Sequence, residues 1–193
     1  MNKLLAATAV AALSLAACKQ EGTSISNNQT QGMTNEAMVD NNLNANGNMG
    51  MAANASVDAT YVQNAAASDM FEVETSRLAL DKAAKPSVKT YAQMMIDEHG
   101  KSTTELKAAA GQAGIAVPAA LPADKQAKVD ALRGLSGAQF DRQYLADQRS
   151  GHQETLAKVN AYLAAAPAGP LKDHASKITG VVQKHLNSLE KIK

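Results

Sequence analysis

With 193 residues, 19 basic against 18 acidic side chains and a formal net charge of +1, the chain lacks the basic patch by which a nucleic-acid binder is read. Aromatic residues are 3 % of the total and tryptophan is absent, which argues against a β-rich fold and for helices packed through small side chains. One cysteine rules out an internal disulfide, so an exported form must be held together by packing.

The first element is a targeting segment. Met1-Asn2-Lys3 supplies one positive charge, Leu4 to Leu13 an apolar run, and Leu15-Ala16-Ala17-Cys18 closes it with small residues. A charged start, about 7–15 apolar residues and a small-residue cleavage site make a secretory signal, expected here over residues 1–17. Cys18, fourth in Leu-Ala-Ala-Cys, resembles the cysteine of a bacterial lipobox. On that reading Cys18 is the acylated mature N-terminus, carrying chains of the palmitate kind, and the membrane is a partner through that anchor. One chain binds only marginally and each buried methylene adds about 0.8 kcal/mol, so several chains hold firmly. The competing reading is cleavage at an Ala-x-Ala site beside an incidental cysteine. A transmembrane helix needs about 20 apolar residues, and this run is shorter and interrupted. Lys19 in place of Asp implies, by the sorting rule of Gram-negative lipoproteins, an outer-membrane lipoprotein facing the periplasm.

Residues 18–56 are expected to be the lipidated cysteine and a disordered tether. Glu21 to Ala55 is rich in Asn, Gln, Gly, Ser and Met and cannot bury enough apolar surface to offset ordering entropy. Met33, Met38, Met49 and Met51 offer soft thioethers suited to copper(I), but their irregular spacing favours plain linker composition.

From Val57 the pattern turns helical. Val62, Ala66, Asp69, Val73 and Leu80 recur at steps of three, four and seven, giving a first helix that ends near Ala84. Lys85-Pro86-Ser87 is a turn, since Pro86 cannot continue the helix. The second helix carries Val88, Ala92, Met95, His99, Ser102, Leu106 and Ala110 on one face and stops at Gly111 and Gly114. Pro118 and Pro122 mark a longer connection, followed by a short helix from about Asp124 to Leu135. Gly134 stops that helix, and Ser136 is placed to N-cap the third long helix. Phe140, Tyr144, Leu145, His152, Val159 and Leu163 form the apolar face of that helix. Pro167, Gly169 and Pro170 turn the chain into a last helix with Leu171, Ala175, Ile178, Val182, His185, Leu189 and Ile192. Two helical hairpins joined by a longer link predict an all-α fold, an antiparallel four-helix bundle over residues 57–193. The short extra helix falls between helices two and three.

Counting from the turns brings the polar residues of these stripes to one height. Glu72 lies 13 residues before Lys85 and His99 lies 14 after it. His152 lies 16 before Ala168 and His185 lies 17 after it. At about 1.5 Å per residue each pair is level, near mid-bundle. Histidine is a common metal ligand, and bundles build metal sites from facing helices. His99, His152 and His185, with Glu72 or Asp69, are therefore candidate ligands for a transition metal such as zinc, copper or iron. The competing reading is a buried histidine–carboxylate network that fixes helix register. Glu98 and Asp141 are candidates for that network, Asp141 because it shares a face with His152, three turns away. His174, close to the last turn, is expected at the surface or a helix end.

Di-iron chemistry of the carboxylate-bridged kind needs Glu-x-x-His on two helices. Ile96, Arg149 and Val182 stand three residues before His99, His152 and His185, so that motif is missing. No nucleophile elbow, P-loop or His-Glu-x-x-His is present either, and a non-enzymatic role is favoured.

Several strings together carry a family resemblance. They are Tyr-Val-Gln-Asn-Ala-Ala at 61–66, Met-Phe-Glu-Val-Glu at 70–74, Ala-Gln-Met-Met-Ile-Asp-Glu-His at 92–99, and Leu-Ser-Gly-Ala-Gln-Phe-Asp-Arg-Gln-Tyr-Leu at 135–145. His152 and His185-Leu186 follow in order. In this arrangement the chain resembles the bacterial domain-of-unknown-function family 4142 from about Ala59 to Leu189. The resemblance implies a ferritin-like helical bundle and an envelope location, since members are often called outer membrane proteins. The family's acidic residue before the histidine is Glu98 here. The resemblance implies no activity. The expected function is a lipid-anchored, non-catalytic structural, stress-related or binding module of the periplasm. The alternative is a metal-binding or metal-dependent redox protein built on the histidine layer. A third reading is a bundle that holds an apolar ligand between its helices.

Overall fold

The structure, a computed structural model, describes residues 43–192. The signal segment 1–17, the lipidation site Cys18 and the tether as far as residue 42 lie outside them.

Five helices follow one another: α1 (Leu43–Lys82), α2 (Pro86–Gln112), α3 (Ala123–Arg133), α4 (Gly137–Ala165) and α5 (Pro170–Leu189). Among the described residues there is no strand, only an isolated parallel bridge between Ala83 and Gly137. None of the described helices is long and apolar enough to cross a membrane. The start of α1 corrects the expected boundary at residue 57, because the helix begins inside the segment read as tether. Once the stripe from Tyr61 onward nucleates the helix, each further residue adds a hydrogen bond. Met51, Ala52, Ala53 and Ala55 extend it at little cost.

The turns fall where proline and glycine put them. Pro86 and Pro170 occupy the first turns of α2 and α5, where a missing N–H costs nothing. Gly114 ends α2 with a φ of 68°, and the Ile115 N–H donates back to the Ala110 carbonyl at 2.9 Å. That return bond needs a left-handed residue, and glycine adopts it without strain. Ser136 precedes α4 in extended conformation but makes no side-chain cap.

α1 packs on α2 and α4, and α5 packs on α4 and α2, while α3 lies against α1 and α4. The apolar core is in two parts. One contains Tyr61, Val62, Ala66, Leu106, Val159, Tyr162, Leu171 and Ala175. The other contains Ala79, Val88, Met95, Leu132, Phe140, Tyr144 and Leu189. Between them, on α1, α2, α4 and α5, lie buried Asp69, Glu72, Thr75, Ser76, His99, Gln148, His152 and His185. Each fully buried Val, Leu, Met or Phe contributes about 1.5–3 kcal/mol, so the two apolar parts supply the stability that this polar layer draws on.

Asp141 is not in that layer. It is buried, but its carboxylate accepts the backbone N–H groups of Ala84 at 3.0 Å and Lys85 at 3.1 Å. It thereby ties the α1–α2 turn to the start of α4. This corrects the expectation that it joins His152 in one network. The two share a helix face, but three turns of α4 separate them by about 16 Å along the axis.

Candidate metal centre

The layer is assembled from the inward stripes of four helices, with one histidine each from α2, α4 and α5 and the carboxylates Asp69 and Glu72 from α1. His99 on α2, His152 on α4 and His185 on α5 are all buried, His185 completely. One ring nitrogen from each lies within 4.8 Å of the other two. The ring centroids are 5.0 Å apart for His152 and His185, 5.2 Å for His99 and His185, and 5.8 Å for His99 and His152. The convergence expected from the turn counts is present.

Each imidazole is held from behind by an oxygen. His99 Nδ1 is 2.8 Å from Asp69 Oδ1, and Thr103 donates to the other Asp69 oxygen at 3.2 Å. His152 Nδ1 donates to the Gln148 carbonyl at 2.7 Å. His185 Nε2 is 2.8 Å from Glu98 Oε2, and Lys184 donates to Glu98 Oε1 at 2.6 Å. A carbonyl has no proton to give, and neither has an ionised carboxylate. The outer nitrogens of His152 and His185 therefore carry the protons, which leaves lone pairs on the inner ones. Those inner atoms, His152 Nε2 and His185 Nδ1, are 3.0 Å apart. Two lone pairs at that distance require a cation or a shared proton between them. His99 Nε2 is buried with no partner.

Charge is distributed accordingly. Burial disfavours the charged ring of His99, but the Asp69 carboxylate, helped by Glu72 and Glu98, outweighs it and raises the pKa. Burial and the nearby His99 charge push His152 down to about 3 and His185 down to about 4. Glu98, though partly desolvated, is held below the usual carboxylate range by Lys184 and His185. His152 and His185 therefore stay neutral at neutral pH, as metal ligands must, whereas His99, held up by Asp69, has to give up a proton when it binds a metal.

The candidate acids take different places. Asp69 is engaged on the outer nitrogen of His99, and Glu98 on that of His185. Glu98 sits at the margin of the layer with its side chain 22 % exposed. Glu72 Oε1 lies 3.8 Å from His152 Nδ1, and Gln148 donates to Glu72 Oε2 in a short hydrogen bond. Burial pushes Glu72 up to about 7. Gly151 makes room for it, since a Cβ there would stand 3.1 Å from Glu72 Oε1. All three acids orient or flank imidazoles and stand outside the group of three converging nitrogens.

Sequence reasoning passed over Gln148, one turn before His152 on the same stripe, and Thr75, which accepts from Gln148 at 3.4 Å. Helical spacing from Glu72 and His152 is the signal that finds both. His174 corrects its expectation: it is buried. Tyr61 donates to its Nδ1 at 2.6 Å, and its Nε2 donates to the Ser102 carbonyl at 3.3 Å. Proximity to a turn says nothing about which way a stripe residue faces.

The comparisons agree on the fold. The solved DUF305 fragment from Deinococcus radiodurans superposes with a TM-score of 0.62 at 17% identity, covering 70% of this chain and 94% of that one. The DUF305 protein from Streptomyces coelicolor gives 0.58 at 14% identity, covering 69% of this chain and 89% of that one. No curated protein matches. The profile of the domain of unknown function DUF4142 matches residues 44–192, and the chain belongs to that family.

Proposed function

We propose that this is a lipid-anchored protein of the bacterial envelope whose helical domain binds a transition metal at His99, His152 and His185. The domain is read as a ferritin-like antiparallel four-helix bundle, with α3 in the long connection. The observation that carries the metal is the pair of inner nitrogens, His152 Nε2 and His185 Nδ1, turned together at 3.0 Å with their outer nitrogens committed to acceptors. Metal-ligating histidines typically give their other ring N–H to a carboxylate or carbonyl, and all three rings here have such a partner. Three imidazoles suit zinc or copper. Zinc–nitrogen bonds of about 2.0–2.1 Å in a tetrahedral site place the nitrogens about 3.3 Å apart, so binding spreads the 3.0 Å His152–His185 pair slightly and draws the three nitrogens together from within 4.8 Å. The envelope location rests on the Leu-Ala-Ala-Cys18 string and accords with a Streptomyces coelicolor relative described as secreted.

A second reading keeps the layer as a register-fixing network in which His152 and His185 share one proton. It is favoured by the fact that both nitrogens of each ring have a partner. Full-length protein purified without an affinity tag and melted with and without zinc or copper separates the two. A metal at about 100 times its Kd adds about 2.7 kcal/mol, a rise of roughly 5–10 °C for a domain of this size. No rise with either metal, or the same rise in His152→Ala, leaves the network reading.

A further inference from the structure

Above the histidine layer, on the side of Tyr61 and Val159, the four long helices leave a cavity of about 400 Å³. Its walls are mostly apolar, including Ala65, Val159, Ile178 and Val182. It opens to solvent along the side where Thr60, Lys158, Ala161 and Ala165 are exposed, and a mostly apolar cleft of this size with a few polar groups at its inner end is the form of a small-ligand site. Its inner wall includes His99, the one layer histidine that lines it, beside Asp69 and Glu98. His99 is 6 % exposed and its Nε2 has no partner. Three protein ligands leave a tetrahedral metal one open position, which is the arrangement of reactive rather than structural sites.

The geometry points to this cavity as the seat of a small ligand with an apolar tail and a neutral nitrogen or sulfur head, the head completing the metal's coordination. The inference rests on the metal reading above. The head is neutral because Asp69 and Glu98 stand beside His99 in the same wall and disfavour a second anion there, while the Lys158 ammonium, also in the lining, is engaged by Glu154 and Asn64. The tail is apolar because the cavity offers it little else to touch. Alanines at 65, 161 and 165 on facing helices hold the space open, and a larger residue at any of them would take it up.

The test uses full-length protein carrying Cys18→Ser, which has neither acyl chains nor a thiol to compete. Cobalt(II) is loaded, and its visible absorption reports coordination. Imidazole and 1-butylimidazole are then titrated as probes. 1-Butylimidazole is expected to shift the spectrum at a concentration about 10-fold lower or more, because burying the butyl chain adds affinity that the ring alone lacks. Ala65→Phe, with Val181→Phe as an independent second filling, is expected to keep the cobalt spectrum and the imidazole response but lose the advantage of the butyl chain. Equal affinity for the two probes, or an advantage that persists in a filled variant with an unchanged cobalt spectrum, overturns the inference and leaves the metal site standing. Absence of any cobalt spectrum overturns the metal reading, and this inference with it.

Discussion

His152 Nε2 and His185 Nδ1 face each other at 3.0 Å, and each ring is fixed in that orientation by an acceptor on its far side. The Gln148 carbonyl fixes the first and the Glu98 carboxylate the second. A polar contact of this kind between two otherwise apolar halves of a core is costly unless something satisfies it. The fold surrounds it with apolar packing at both ends, in which alanines alternate with Tyr61, Tyr162, Leu106 and Leu171 on one side and with Met95, Phe140, Tyr144 and Leu189 on the other.

Asp69→Asn keeps an acceptor for His99 but removes the charge that holds the ring. Zinc or copper affinity is expected to fall about 10–100-fold with the fold intact, as for other partners of metal-ligating histidines. The pKa of His99, now raised by Asp69 against burial, is expected to drop. Metal titration and the NMR-followed titration of His99 in metal-free protein check the two halves separately.

Glu72→Gln tests the buried acid. Burial raises Glu72 from 4.5 to about 7, so between those values the folded chain binds more protons than the unfolded one. Stability therefore falls as pH rises through that window, and the loss is complete above about 7. The glutamine variant has no such proton. In metal-free protein it is expected to match the parent near pH 4.5 and to exceed it at pH 8 by on the order of 3 kcal/mol. Denaturant melts at the two pH values measure the difference, and a constant offset would show that Glu72 is ionised in the fold.

Much of this layer is legible from residue counts. Pro86, Gly114, Gly134 and Pro170 punctuate the helices, and distances from Lys85 and Ala168 put the histidines level because a helix rises by a constant step. Three placements were not legible, each for its own reason. Asp141 shares a face with His152 but not a height, and face alone does not define a contact. His174 faces Tyr61 on a helix 113 residues away in sequence, a pairing no local period reports. The cavity arises from alanines on two facing helices, Ala65 on α1 and Ala161 and Ala165 on α4, and periodicity records an alanine as apolar without recording the space it leaves.

Asp141→Ala removes the acceptor of two backbone N–H groups at the α1–α2 turn. Leaving such donors unsatisfied costs about 1–3 kcal/mol each when buried, and less here because Ala84 and Lys85 are exposed. The melting temperature is expected to drop by several degrees. Zinc titration is expected to be unchanged, because the residue acts on the turn and not on the layer.

Tyr61→Phe retains the ring that stacks on Tyr162, with centroids 4.1 Å apart. It deprives His174 Nδ1 of its donor. A loss of about 1–3 kcal/mol is expected from the unsatisfied nitrogen, read by denaturant melting, with metal binding retained. A neutral outcome would mean that a water replaces the hydroxyl.

The most direct measurement is X-ray absorption at the zinc edge of full-length protein loaded with one equivalent of zinc, beside His99→Ala, His152→Ala and His185→Ala. The prediction is three imidazole nitrogens at about 2.0–2.1 Å, one fewer in any variant that still binds. Zinc bound only through oxygen, or a spectrum identical in all four proteins, contradicts a metal centre in this layer.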